Sequence, residues 1–315
     1  MSCIMPTDRK LPKLIAVVGP TASGKTDLAV ALARKFRGEI ISADSRQFYR
    51  GTEIGSDIIP GRWTKRGRRR VYLARGVPHY GIAIRPPDRQ VTVAEFKTMA
   101  ARLAKDIIRR GRLPILAGGS GLYIRAVVDN FDIPEVPPQP AIRARLAGYS
   151  STRLFRMLSR RDPEYARRIP PQNRRFLTRA LEVIEVTGRP FSAQQRTAAP
   201  VFDVLQIGIR RPRRQIYRRV EDRVDRQMAA GLLEEAARLG KRHGWDLPVL
   251  SGLGHRQLGL YLQGKTTLEE AVGLIKRDTR HFAKRQMTWF RRDERIHWVK
   301  NESEAFRLAK DHLSE

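Results

Sequence analysis

Gly19-Pro20-Thr21-Ala22-Ser23-Gly24-Lys25-Thr26 is a complete G-x-x-x-x-G-K-[ST] phosphate loop. The apolar run Leu14-Ile15-Ala16-Val17-Val18 precedes it, and the helix-like stretch Asp27-Leu28-Ala29-Val30-Ala31-Leu32-Ala33 follows. Strand, tight glycine loop and helix together form a cradle of backbone N–H groups, to which the helix dipole adds partial positive charge. In such a cradle Lys25 contacts the terminal phosphates and Thr26 holds a magnesium ion through its hydroxyl. The octet therefore predicts an α/β fold that grips a polyphosphate.

Outward from the loop, strand and helix patterns alternate. Glu39-Ile40-Ile41-Ser42 reads as a strand that ends in Ala43-Asp44-Ser45-Arg46-Gln47. The basic stretch Arg62 to Arg75 shows no clean period, and Val93 to Arg110 carries a helical apolar stripe. Leu113-Pro114-Ile115-Leu116-Ala117 is the next buried strand, running into Gly118-Gly119-Ser120-Gly121. This alternation predicts a P-loop NTPase-like parallel sheet with helices on both faces. Ligands of such sheets bind beyond the carboxyl ends of the strands, where Lys25, Asp44 and Ser120 all fall. The proline-rich segment 133–140 marks a boundary. Residues 137–200 then read as an inserted all-helical domain, and the α/β core of residues 1–136 resumes at 201 with the strand Val204 to Ile209. Long helices are expected near 213–240 and 268–290.

The 315 residues include 62 Lys+Arg against 32 Asp+Glu, a net charge of +30. Such an excess favours a polyanionic partner, because Lys and Arg displace counterions from phosphates. Cys3 is the single cysteine, which excludes an internal disulfide and a thiolate metal site. No run approaches the ~18 apolar residues of a membrane span, and Met1 to Lys13 lacks the apolar core of a secretion signal. The expectation is a cytoplasmic protein without membrane attachment, and a monomer.

Asp44, just past a strand, is placed to take a proton or to reach magnesium through water; capping a turn is an equally ordinary task for it. Ser120 offers a hydroxyl and bare backbone at the same crevice, or forms an ordinary turn. The helix from Arg213 carries Arg219, Arg223 and Arg226, one of which can reach the phosphate site, although spacing does not say which. The insertion is rich in arginine, including Arg143, Arg175 and Arg179, and the last long helix carries Arg285 with Trp289 and Phe290. Arginine planes and aromatic rings stack on unpaired RNA bases, but aromatic pairs also fill cores. The strands at 114–117 and 204–209 lack a terminal Asp of the Walker B type, which disfavours a motor ATPase or GTPase and leaves small kinases and other transferases.

Taken in order, several stretches resemble the tRNA dimethylallyltransferases (tRNA isopentenyltransferases). They are the phosphate loop, Ile41 to Tyr49, Pro114 to Tyr123, Arg179 to Val183 with Thr187-Gly188, Gly254-His255-Arg256-Gln257, and Ala283 to Arg291. The resemblance covers most of the chain. It implies transfer of a dimethylallyl group from dimethylallyl diphosphate to N6 of adenosine 37 in the anticodon stem-loop of tRNA, with Mg2+. It further implies that Gly19, Pro20, Thr21, Ala22, Ser23, Gly24, Lys25 and Thr26 hold the diphosphate of the prenyl donor, with Thr26 on the metal. Asp44 is then the general base and Arg223 a diphosphate contact, with Ser120 as a third catalytic position. Asp44, Ser45, Arg46, Gln47, Ser120, Arg143, Arg175, Arg179 and Arg285 are the implied tRNA contacts. Ser120 stands where that family usually has Thr, Ala83 where it has Asp, and the stretch Ser56 to Arg75 is longer and more basic than usual. Two rival readings share the phosphate loop alone: a nucleotide or small-molecule kinase using ATP, and a non-catalytic RNA-binding protein.

Overall fold

The apolar run before the phosphate loop forms a strand buried on both faces, as a central strand of a parallel sheet must be. In a computed structural model, residues 10–67, 69–131, 134, 136–195 and 197–315 are described. Cys3 and most of the N-terminal stretch, with Ile133 and Glu135 of the proline-rich boundary, lie outside the described residues.

The elements run β1 (Lys13–Val18), α1 (Lys25–Lys35), β2 (Gly38–Ser42), β3 (Arg62–Arg66), β4 (Arg69–Ala74), β5 (Val77–Tyr80), α2 (Val93–Arg109), β6 (Leu113–Gly118) and α3 (Gly121–Val128). Next come α4 (Pro140–Ala147), α5 (Ser151–Arg161), α6 (Pro163–Arg168) and α7 (Arg174–Thr187). The chain then continues through β7 (Asp203–Ile209), α8 (Arg213–Ala229), α9 (Leu232–His243), α10 (His255–Leu262), α11 (Leu268–Phe290), β8 (Ile296–Val299) and α12 (Glu302–Ser314).

Among the described residues the sheet has eight strands in the order β3-β4-β5-β2-β6-β1-β7-β8. The pairs from β5 to β8 are all parallel. Only the β3–β4 and β4–β5 pairs are antiparallel. The sheet is therefore mixed at one edge, where the sequence predicts a purely parallel one. The alternating faces of β1 feed two cores. Leu14, Ala16 and Val18 pack with Phe96, Ala100 and Ile107 of α2. Ile15 and Val17 pack with Leu28 and Leu32 of α1 and with Ala305 of α12. The expected helix 213–240 is two helices, α8 and α9, because Gly231 takes a left-handed φ of 96° between them.

The second compact unit is Asp129–Ala199. Its start precedes the expected residue 137 by eight positions. Leu146, Leu154, Leu158, Leu177 and Leu181 form its own apolar core. Its two ends are tied to each other: the Asn130 side chain donates to the Ala199 carbonyl at 2.8 Å, and Phe131 bridges Thr197 in antiparallel fashion. Among the described residues no helix is long and apolar enough to cross a membrane.

Candidate active site

The phosphate loop leaves β1 and turns into α1 through Gly24, which caps the helix at φ 94°, a left-handed conformation that a side chain disfavours. Ala22 holds φ 62° beside it. The Lys25 ammonium rests 3.4 Å from the Pro20 carbonyl. Burial pushes that ammonium below the usual lysine range. Asp44 opposes the shift, Arg223 adds to it and Asp57 opposes it. Lys25 thus feels both carboxylates and the guanidinium of one site.

Several side chains from distant segments brace the loop. The Thr21 N–H donates to Gln286 Oε1 at 2.8 Å, and Gln286 Nε2 donates to the Gly119 carbonyl at 2.9 Å. Arg211 Nε donates to the Ser23 carbonyl at 2.5 Å and Arg219 Nε to the Ala22 carbonyl at 2.9 Å. Arg223 Nη1 donates to Thr21 Oγ1 at 2.5 Å and pairs with Asp57 at 3.2 Å. Arg219 and Arg223 lie four apart on α8, hence on one face. A cavity of about 390 Å³ opens at this point, lined among others by Gly24, Lys25, Thr26, Asp57, Arg219 and Arg223.

Asp57 is delivered by a tightly held loop. Glu235 accepts the N–H groups of Ile54 and Gly55 at 2.8 and 2.9 Å and bonds His255 Nε2 at 2.8 Å. Gln227 donates to the Ile54 carbonyl at 2.6 Å. The His255 ring lies so close that a Cβ on Gly55 would meet its Cε1 at 2.3 Å. This explains what His255 of the Gly254 to Gln257 stretch does: it supports the loop that carries Asp57.

Asp44 follows β2 and sits beside the cavity rather than among its lining residues. Its Oδ1 accepts the Arg46 N–H at 3.0 Å, an Asx turn, so the turn-cap role is real. Ser120 Oγ accepts the Ser45 N–H at 3.0 Å and donates to Ser45 Oγ at 3.2 Å. Its N–H also donates to the Ala43 carbonyl at 3.2 Å. Ser120 therefore holds the Asp44 turn through both its hydroxyl and its backbone. Gln47 is likewise turned inward: it accepts from Ser42 Oγ at 2.7 Å and donates to the Ser56 and Asp57 carbonyls at 3.4 Å. Arg46 is exposed and donates to the Val249 carbonyl at 3.3 Å.

Within the insertion, two of the expected RNA contacts, Arg143 and Arg179, share a buried carboxylate partner and still reach solvent. Glu182 is fully buried. Arg143 binds it in a fork at 2.7 and 3.0 Å, and Arg179 binds it at 2.8 Å. Burial alone would raise the Glu182 carboxyl; the bonds from Arg143, the Gln139 N–H and Arg179 hold it below the usual carboxylate range. Arg175, by contrast, is exposed next to the exposed Phe176. Arg285 is exposed on α11 with its guanidinium 5.8 Å from the Phe282 ring centre. Phe290 is buried in the core, whereas Trp289 is 41% exposed and lies against Gly121, next to Ser120. The aromatic pair thus divides between the two tasks open to it.

Fold and site together define a phosphate-loop protein whose cationic cavity lies next to a carboxylate. A family model described as IPP transferase matches residues 47–293, and the chain belongs to that family. It is 44% identical over 294 residues to a tRNA dimethylallyltransferase of Moorella thermoacetica, spanning 90% of this chain and 89% of the relative. It is 45% identical over 300 residues to one of Symbiobacterium thermophilum, spanning 92% and 89%. Among solved structures, a tRNA isopentenylpyrophosphate transferase of Bacillus halodurans is 36% identical, covers 96% of this chain and 95% of that one, and superposes with a TM-score of 0.66. A eukaryotic dimethylallyltransferase acting on tRNA is 26% identical, covers 88% and 69%, and superposes with a TM-score of 0.72.

Proposed function

We propose that this chain transfers a dimethylallyl group from dimethylallyl diphosphate to N6 of adenosine 37 in the tRNA anticodon loop, releasing diphosphate. The observation that carries the reading is the pairing of a cationic phosphate cavity with the Asp44 carboxylate, both acting on the one Lys25 ammonium. Adenine N6 is a poor nucleophile, because its lone pair is delocalised into the ring. As N6 forms its bond to the allylic carbon, the carbon–oxygen bond to diphosphate breaks and the electron pair leaves on oxygen. The N6 proton passes to Asp44. Loop N–H groups, Lys25 and Arg223 receive the negative charge of the leaving group. Ser120 and the Asx turn fix the carboxylate for that transfer.

The oxygen donors suit Mg2+, which binds through one or two carboxylates together with substrate phosphates. Thr26, Asp57 and Asp222 line the same cavity, and the described residues contain no dense His/Cys/Asp/Glu cluster of the kind an all-protein cage needs. When bound there, the ion neutralises diphosphate charge. The tRNA substrate implies a cytoplasmic enzyme.

Incubation with tRNA, Mg2+ and dimethylallyl diphosphate, followed by mass measurement of the tRNA nucleosides, tests the reading. A dimethylallyl adduct on adenosine is expected. Phosphate transfer from labelled ATP with no such adduct would establish the kinase instead.

A further inference from the structure

The basic stretch without a clean period is the outer hairpin of the sheet, β3 and β4. Between Asp57 and Asp88 the sequence has no acid, yet it contains Arg62, Lys65, Arg66, Arg68, Arg69, Arg70, Arg75 and Arg85. Register places Trp63 opposite Tyr72 and Lys65 opposite Arg70. Paired residues share a face, as do alternate residues of one strand, so these four lie together. The Arg70 guanidinium sits 5.3 Å from the Trp63 ring centre, and Trp63 meets Tyr72 edge-on at 5.5 Å. Trp63 is 39% exposed, and Lys65 and Arg70 are exposed.

Two cations directly opposite each other destabilise a hairpin. Charges on an edge strand do deter strand addition, but a single lysine accomplishes that, and a half-open indole works against it. An exposed ring flanked by cations is suited instead to a nucleic-acid strand, with phosphates on Lys65 and Arg70 and a base on Trp63. The placement agrees. β3 runs parallel to β2, so the turn after Arg66 lies at the sheet edge that also carries Asp44 and the phosphate loop. Three strand spacings separate β3 from β2, about 14 Å in all.

We propose that the Trp63–Lys65–Arg70 face of the β3–β4 hairpin is a second contact for the substrate RNA, holding the sugar-phosphate backbone flanking the target base. This rests on the tRNA reading above. The test is binding of a fluorescent anticodon stem-loop RNA to the full chain and to Lys65→Gln/Arg70→Gln. Each phosphate contact contributes a slope of about 0.9 in log affinity against log salt, so two contacts amount to about tenfold over a fourfold rise in salt. From about 50 to about 200 mM KCl the double variant should lose about tenfold less affinity than the parent. Its KM for the RNA should rise while kcat at saturating RNA stays unchanged, and its melting temperature should not fall. Equal salt dependence and equal RNA KM in parent and variant would overturn the proposal. A hairpin-dependent salt slope in a parent that forms no adduct would uphold the RNA surface and overturn the prenyl-transfer function.

Discussion

Replacing Asp44 by Asn separates the two tasks of this side chain. The Asn oxygen can still accept the Arg46 N–H, now held at 3.0 Å, so the turn persists. What is lost is the capacity to take a proton. General-base catalysis contributes about 10²–10⁴ in rate, so kcat at saturating donor and tRNA should fall by that factor, about 2.7–5.4 kcal/mol in barrier. The tRNA Kd and the melting temperature should stay at parental values. Asp44→Ala should lose the same rate and also the turn bond, about 1 kcal/mol net, which lowers the melting temperature by about 2–4 °C in a domain of this size. Single-turnover rates by nucleoside mass measurement, with thermal melts of both variants, make the comparison. A kcat for Asp44→Asn within threefold of the parent would remove the general-base role. A melting loss equal to that of the Ala variant would show that the Asx turn requires the charge.

Gln286→Met strips the Thr21 N–H and the Gly119 carbonyl of their partners. Each orphaned buried group costs about 1–3 kcal/mol, so a melting drop of about 4 °C or more is expected, together with a raised KM for dimethylallyl diphosphate; an unchanged melt refutes the bracing role. Glu182→Gln removes the charge shared by Arg143 and Arg179 and should cost at most about 3 kcal/mol, the low end for a broken buried pair, because both arginines reach solvent. Because the folded Glu182 pKa is depressed, its stabilisation is present above the ordinary 4.5 and fades as pH falls through the folded value. The variant should lack that part of the acid transition, as melts from pH 6 to pH 3 would read. For Lys25 the sign is opposite. Its folded pKa lies below 10.5, so the unfolded chain binds more protons in between and stability rises with pH through that window. Diphosphate reverses the shift, and donor binding in that window should take up protons, seen as a dependence of calorimetric heat on buffer ionisation. Heats independent of buffer would place the diphosphate away from Lys25.

Much of this was legible in the sequence. The phosphate loop, the flanking strand and helix, and the strand leading to Asp44 each depend on local pattern, and all are present. The β3–β4 hairpin was not legible, because an edge strand crowded with arginine carries no apolar alternation. The break at Gly231 hid inside a continuous helical stripe. In the site, Lys25, Thr26 and Arg223 line one cavity. Asp57, Arg211 and Gln286 were missed at the site, because their roles depend on bonds across 166 to 265 residues of chain, and Arg219 stood only as one of three candidates on its helix. The pairing of Arg143 and Arg179 with Glu182 was not legible, since nothing local reveals that Glu182, in mid-helix, is buried.

The knot between the two ends of the helical insertion makes that segment transplantable. With Asn130 fastened to Ala199 and Phe131 bridged to Thr197, a short turn suffices to rejoin the flanking chain once the segment is cut out. An orthologue's segment can be spliced in at the same two points. Exchanging these cassettes among relatives would measure what the segment contributes to tRNA binding while the phosphate loop and Asp44 of the host stay in place.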